Sequence, residues 1–225
     1  MTVISNCVFV RDSGECHIAN EGMNRDFIVK DGRSKKLPKL HKDILLISPL
    51  NYTKIRKAYE QVLGLNAIDH LSINIVNSGG EMVFLSSTPA TGQNVCGTDL
   101  WRHDFSIHPE TYENKKFYWW DECYAQGMKK ILKFEKETKN NLSCGFICTR
   151  KVEGFHLMYS FATREVDPGI RDNIKEYQSE FIHMGDHCYG LVRDIYERYS
   201  GGYHPPILNS SNFPKQVGRI GDQDV

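Results

Sequence analysis

The chain has 225 residues, 40% of them hydrophobic, and its 28 basic residues are balanced by 28 acidic ones. That length and composition suit one large domain with extensions better than two full domains. Zero net charge argues against a globally basic surface for nucleic acid or an anionic membrane, and no apolar run approaches the roughly 20 residues of a membrane-spanning helix. Residues 1–10 lack a charged region followed by an apolar core, so no leader is expected. Seven cysteines, an odd number in a chain too large to need staples, point to reduced thiols and a cytoplasmic location.

Residues 1–40 read as an extension or linker. Val8, Val10 and residues 17–19 flank Asp12-Ser13-Gly14 as a short hairpin, and the basic stretch 30–39 reads as a solvated loop. The domain is expected over 41–200 and a tail over 201–225. Ser48-Pro49 predicts a helix start, a serine cap with proline in the first turn. Ile55, Tyr59, Val62 and Leu63 follow at helical spacing, and Gly64 closes the helix. Residues 71–76 and 81–86 read as strands around Asn77-Ser78-Gly79-Gly80, with Leu71, Ile73 and Ile75 alternating with Ser72, Asn74 and Val76. Stretch 88–104, with Pro89, Gly92 and Gly97, reads as a loop holding one short helix. Residues 127–139 predict an amphipathic helix with Met128, Ile131, Leu132 and Phe134 inward and its lysines outward.

A second hairpin follows, 142–148 and 155–161, its turn ending in Gly154. Asp167-Pro168 then opens a helix running to Tyr199. Ile170, Ile174, Tyr177, Phe181, Met184, Cys188, Val192, Ile195 and Tyr199 mark one apolar stripe along it. Gly185 and Gly190, each about 1 kcal/mol worse than alanine, predict a kink midway. A helix of about 48 Å outreaches strands of about 20 Å. The stripe is therefore expected to overhang the sheet and to be covered by a second copy or partner protein, with the N-terminal 40 residues as the alternative cover.

Two antiparallel hairpins joined by a partly helical insert and flanked by helices predict an α/β (α+β) fold, an α/β/α sandwich with a central antiparallel sheet. The insert carries Trp101, His108, Tyr112 and the run Phe117-Tyr118-Trp119-Trp120. Four consecutive aromatics cannot all enter one core direction, so some are expected to line a cavity under the insert. Of Trp119 and Trp120, one is expected in the pocket and the other in the core. Cys144, Phe146 and Cys148 share one strand face and are expected to line the same pocket. His183 and His187 have the spacing of two zinc ligands, but Met184 stands where a zinc protease has glutamate, so no metal is expected. No cofactor and no catalytic residue are signposted. A cysteine-dependent hydrolase or transferase is the rival reading, with Cys7, Cys16, Cys96 and Cys123 available but none in a nucleophile turn. An interaction module working through the last helix is the third.

From Ser48 to Tyr199 the order of parts resembles the autoinducer-binding domain of the LuxR family, a PAS/GAF-like sandwich that holds acyl-homoserine lactones between its sheet and a helical insert. The resemblance places His108-Pro109 at the family's Asp-Pro pair, whose aspartate binds the ligand amide. It places Trp119 or Trp120 at the tryptophan that binds the lactone carbonyl, and Gly145 at the glycine of the following strand. It implies a quorum-sensing type of signalling domain. The ligand-binding set it implies, together with the residues read directly, is Trp101, His108, Tyr112, Tyr118, Trp119, Trp120, Cys144, Phe146 and Cys148. A histidine lacks the charge and paired oxygens of a carboxylate. The expected ligand is therefore a small, partly apolar molecule other than an ordinary acyl-homoserine lactone. The residues after Tyr199 offer no counterpart of the family's helix-turn-helix, so no nucleic-acid binding by this chain alone and no membrane association are expected.

Overall fold

The computed structural model describes residues 36–208. The expected hairpin around Asp12-Ser13-Gly14, most of the basic linker and the end of the tail lie outside the described residues. In chain order these form β1 (Lys39–Leu40), α1 (Ile44–Leu50), α2 (Tyr52–Tyr59), β2 (His70–Val76), β3 (Glu81–Ser86), α3 (Pro89–Cys96), α4 (Pro109–Tyr112), β4 (Phe117–Trp119), α5 (Lys129–Lys136), β5 (Cys144–Val152), β6 (Phe155–Thr163), α6 (Ile170–Glu176) and α7 (Gln178–Tyr199). Short 3-10 turns punctuate the connections.

Six strands make one sheet in the order β1-β3-β2-β6-β5-β4. Both expected hairpins form, and they meet at its centre, where β2 pairs antiparallel with β6. In the first, the Asn77 side chain accepts from the amides of Gly79 and Glu81 at 3.0 and 2.9 Å and so closes the turn. In the second, only Glu153 and Gly154 separate the strands, both with positive φ (49° and 81°). That is the backbone a two-residue hairpin loop needs to match the strand twist. The sheet departs from the expected all-antiparallel pattern at one edge. There the two residues of β1, inside the expected linker, run parallel to β3.

Both faces of the sheet are covered, which gives an α/β/α sandwich. Odd positions of β2 (Leu71, Ile73, Ile75) join Val83, Leu85, Phe146, Leu157, Tyr159 and Phe161 in one apolar core with α2 and α7. On the other face Val76, Met82, Phe84, Ile147 and Met158 pack with the 88–141 insert.

Four local expectations are corrected. Ser48-Pro49 does not start a helix; both lie inside α1, and the chain breaks at Asn51. The Ser48 hydroxyl is instead a pin to β3, donating to the Phe84 carbonyl at 2.9 Å and accepting from the Ser86 amide at 3.1 Å. Pro49 has no N–H for the Leu45 carbonyl, and the Gln93 amide supplies the donor at 3.1 Å. Second, α5 is turned about its axis from the expected orientation. Ile131 and Phe134 are 48% and 52% exposed, whereas Leu132 and Lys136, one turn apart, face inward.

Third, the last helix breaks at Tyr177 and not at its glycines. Gly185 is required by packing, since a Cβ there would lie 2.2 Å from the Tyr159 ring. Fourth, the apolar stripe does not overhang. Phe181, Met184, Cys188, Val192 and Ile195 are all buried within the chain. Two reasons remove the overhang: α6 takes the first part of the stripe in a separate helix, and β5 and β6 each run to nine residues. The Tyr189 hydroxyl also donates to the Pro206 carbonyl at 3.0 Å, tying the chain beyond α7 to its flank.

The two glycines of α7 should therefore respond in opposite directions. Gly185→Ala forces the Tyr159 ring away and should cost about 1–3 kcal/mol. Gly190→Ala, which meets nothing within 4 Å, should stabilise by about 0.5–1 kcal/mol. Urea denaturation of the two variants checks both signs.

Candidate functional site

The face of the sheet under the insert has a polar patch. Ser86, Ser72 and Ser160 stand side by side across β3, β2 and β6. His70 and Asn74 flank Ser72 along the same face of β2. Buried hydroxyls and an imidazole, with a half-buried amide beside them, need partners on such a sheet face. Over them lies a cavity of about 60 Å³. Its roof is Thr91, Gly92, Val95 and Cys96 of α3, with Asp104, Ser106 and Ile107 of the insert, Trp120 after β4 and Lys136 of α5. Met82, Phe84 and Ile147 complete the apolar part of the wall.

Trp120 is placed by the alternation of the aromatic run. Tyr118 and Trp120 belong to the core under the insert, while Phe117 and Trp119 belong to the core with α7. The Trp120 ring lies over Gly145, where a Cβ would come within 2.2 Å of it. Its Nε1–H donates to the Ser160 hydroxyl at 3.0 Å, and its edge meets the His70 ring at 5.9 Å.

Asp104 and Lys136 come from different parts of the insert. Backbone bonds from Phe105 to the Cys123 carbonyl (2.8 Å) and from Ala125 to the His103 carbonyl (3.0 Å) fix the Asp104 segment. The Asp104 carboxylate then accepts from the Ser106 amide at 3.2 Å and from Lys136 Nζ at 2.6 Å. The two residues are 2% and 6% exposed. Lys136 Nζ also sits 4.5 Å from the Trp120 ring centroid and 5.2 Å from that of Tyr124, favourable cation–π positions. Beside it the Tyr124 hydroxyl donates to Glu137 at 2.8 Å, and burial raises the pKa of Glu137. Burial, aided by the charge of Lys136, lowers His70 to about 3, so its imidazole is neutral at physiological pH.

Three buried polar atoms of the cavity walls have no hydrogen-bond partner among the described residues: His70 Nδ1, Thr91 Oγ1 and Ser106 Oγ. A neutral imidazole and two hydroxyls can both donate and accept. The cavity thus offers an ammonium, several hydroxyls and a neutral histidine beside an aromatic wall.

Of the residues expected to bind ligand, Trp120 alone lines this cavity. Trp119, Cys144, Phe146 and Cys148 lie in the core on the opposite face. The Trp119 ring carries Arg171 at 4.7 Å, itself paired with Asp121 at 2.7 Å. The reason is parity: Cys144, Phe146 and Cys148 share a strand face, but it is the face toward α7, and Gly145 and Ile147 are the β5 residues that look toward the insert. Tyr118 stands behind the cavity wall, its hydroxyl donating to the Ser106 carbonyl at 2.7 Å. Tyr112 packs against His156 at 4.9 Å, and Trp101 lies beneath Arg102 at 4.8 Å. His108 precedes α4 and meets Phe105 edge-on at 4.9 Å. The acid of the cavity wall is Asp104. Sequence reasoning missed it because it stands in a stretch without periodicity, and missed Lys136 because a lysine on an amphipathic helix reads as solvent-facing. The polar members of β2 were visible as the alternate positions of a strand, and only an outward orientation was assumed for them.

No family model matches the chain, and no curated protein matches it. Among solved structures it is similar to Escherichia coli SdiA in a crystal of space group P6522, with 14% identity and a TM-score of 0.47 over 68% of this chain and 63% of that one. It is also similar to SdiA in complex with octanoyl-rac-glycerol, with 13% identity and a TM-score of 0.45 over 63% of this chain and 59% of that one. The chain spans about three-fifths of the length of the SdiA chains it matches. Among the described residues no helix is long and apolar enough to cross a membrane.

Breaking the buried pair should cost more stability than removing both of its charges. Lys136→Met leaves the Asp104 carboxylate buried without its cation and should cost about 3–5 kcal/mol. The double variant Asp104→Asn, Lys136→Met removes both charges and should recover most of that loss. Urea denaturation of the single and double variants measures the difference.

Proposed function

We propose that this domain is a small-molecule-binding sensor domain of the LuxR autoinducer-binding type, with its ligand in the cavity between the sheet and the 88–141 insert. One observation carries the reading: His70, Thr91 and Ser106 line a single cavity, and each holds a buried polar atom without a hydrogen-bond partner among the described residues. Unpaired polar groups cost about 1–3 kcal/mol each when buried, and a ligand that pairs them recovers that cost. Trp120 supplies the aromatic wall, and the Lys136–Asp104 pair supplies the charged end. Asp104, and not His108, is the insert acid available to the site.

At about 60 Å³ the cavity is well below the roughly 300 Å³ at the lower end of drug-sized sites. That size supports a ligand smaller than an ordinary acyl-homoserine lactone. The cysteine-enzyme reading is the weaker one for its described candidates, because burial raises Cys96 and Cys123 to about 12 and disfavours their thiolates at neutral pH; Cys7 and Cys16 lie outside the described residues. With the α7 stripe buried, a homodimer or partner protein would engage a different surface. With zero net charge, this chain alone is expected to show no sequence-specific duplex affinity at physiological salt.

Native mass spectrometry of the purified chain should find a retained small molecule. Titrating that molecule into Trp120→Phe should show affinity reduced by about fivefold or more, close to 1 kcal/mol, whereas Trp119→Phe should stay within about twofold. Equal, small effects at both positions would remove the cavity as the binding site.

A further inference from the structure

We infer that the cavity selects an uncharged hydroxycarbonyl compound, whose carbonyl oxygen accepts from Lys136 while its hydroxyls meet Ser106, Thr91 and His70. The inference rests on the binding role proposed above and names the chemistry of its ligand. Both carboxylate oxygens of Asp104 are engaged inside the chain, one by the Ser106 amide and one by Lys136. A ligand N–H would therefore have to share a carboxylate oxygen that already accepts within the chain. Lys136 has three N–H bonds, and among the described residues they meet one hydrogen-bond acceptor, the Asp104 oxygen at 2.6 Å. Its Nζ lies 4.5 and 5.2 Å from the Trp120 and Tyr124 ring centroids, and Lys136 lines the cavity. The site thus asks its ligand for an acceptor.

Charge decides which acceptor. Asp104 already neutralises Lys136, and the adjoining Glu137 is also buried. A carboxylate entering here would be desolvated without an uncompensated cation to meet it, which is unfavourable. A carbonyl oxygen takes the same hydrogen bond without that cost. The hydroxyls follow from the rest of the wall. Thr91 Oγ1, Ser106 Oγ and His70 Nδ1 lack partners among the described residues, and Ser160, having accepted from Trp120, keeps its own proton to donate. Alcohol groups, which donate and accept at one atom, suit such a lining.

The test uses the full chain and three probes on one three-carbon frame: dihydroxyacetone, glycerol and glycerate. Isothermal titration should show dihydroxyacetone bound about tenfold more tightly than either of the others. In the Asp104→Asn, Lys136→Met double variant, dihydroxyacetone should fall to the level of glycerol. Glycerate as the tightest probe, glycerol equal to dihydroxyacetone, or a preference that survives in the double variant would each overturn the inference. If none of the probes binds while native mass spectrometry finds a different retained molecule, the hydroxycarbonyl assignment fails and the cavity stands as a binding site. If none binds and nothing is retained, both fall.

Discussion

The sheet buries both faces, and the two faces are not chemically alike. Toward α7, β2 presents Leu71, Ile73 and Ile75, and the aromatic and aliphatic positions of β5 and β6 extend that apolar surface. Burial there is non-directional and amounts to roughly 25 cal/mol per Å². Toward the insert, the same strand presents His70, Ser72 and Asn74, and neighbouring strands add Ser86 and Ser160. These groups cannot be covered by apolar packing alone without a penalty. The insert answers with Trp120, whose indole N–H meets Ser160, and with the Lys136–Asp104 pair set against that indole. The site exists because one side of the sheet demands partners that the other side does not.

The insert shares an apolar core with this face, Val95, Ile107 and Leu132 with Met82, Phe84, Ile147 and Met158, and directional contacts set its orientation. Gly145 admits the Trp120 ring, the Tyr118 hydroxyl holds the Ser106 carbonyl, and the short antiparallel pairing of 103–105 with 123–125 brings Asp104 to Lys136. Each contact has one geometry, so the insert is positioned closely although much of it is short 3-10 turns. A buried ion pair is weak evidence for stability, since its desolvation offsets its attraction. Here the pair sits in the wall of the cavity, where it ties α5 to the segment that carries Asp104.

Alternation along 71–76 and hydrophobic runs around the turns at 77–80 and 153–154 made the hairpins legible, because strand pairing of that kind is set by neighbours in sequence. The helical spacing of 170–199 was equally readable. Its break at Tyr177 was not, because Gly185 is used for close contact with Tyr159 and causes no kink. The aromatic run announced that its members must diverge, and they do, by strand parity. Which tryptophan reached the cavity depended on which face of β5 lay under the insert.

Alternation and helical spacing specify the two hairpins, the C-terminal helical segment and a sandwich with an aromatic insert, since propensity and period act at short range; the short strands β1 and β4 and the helix boundaries do not emerge from them. Only the tertiary structure decided that Trp120 and not Trp119 lines the cavity, that Asp104 rather than His108 is its acid, and that Lys136 turns inward. The physical reason is that a lysine on an amphipathic helix is outward by default. It reverses only when a carboxylate and an aromatic face, separated from it by many residues of chain, are brought close enough to replace its water.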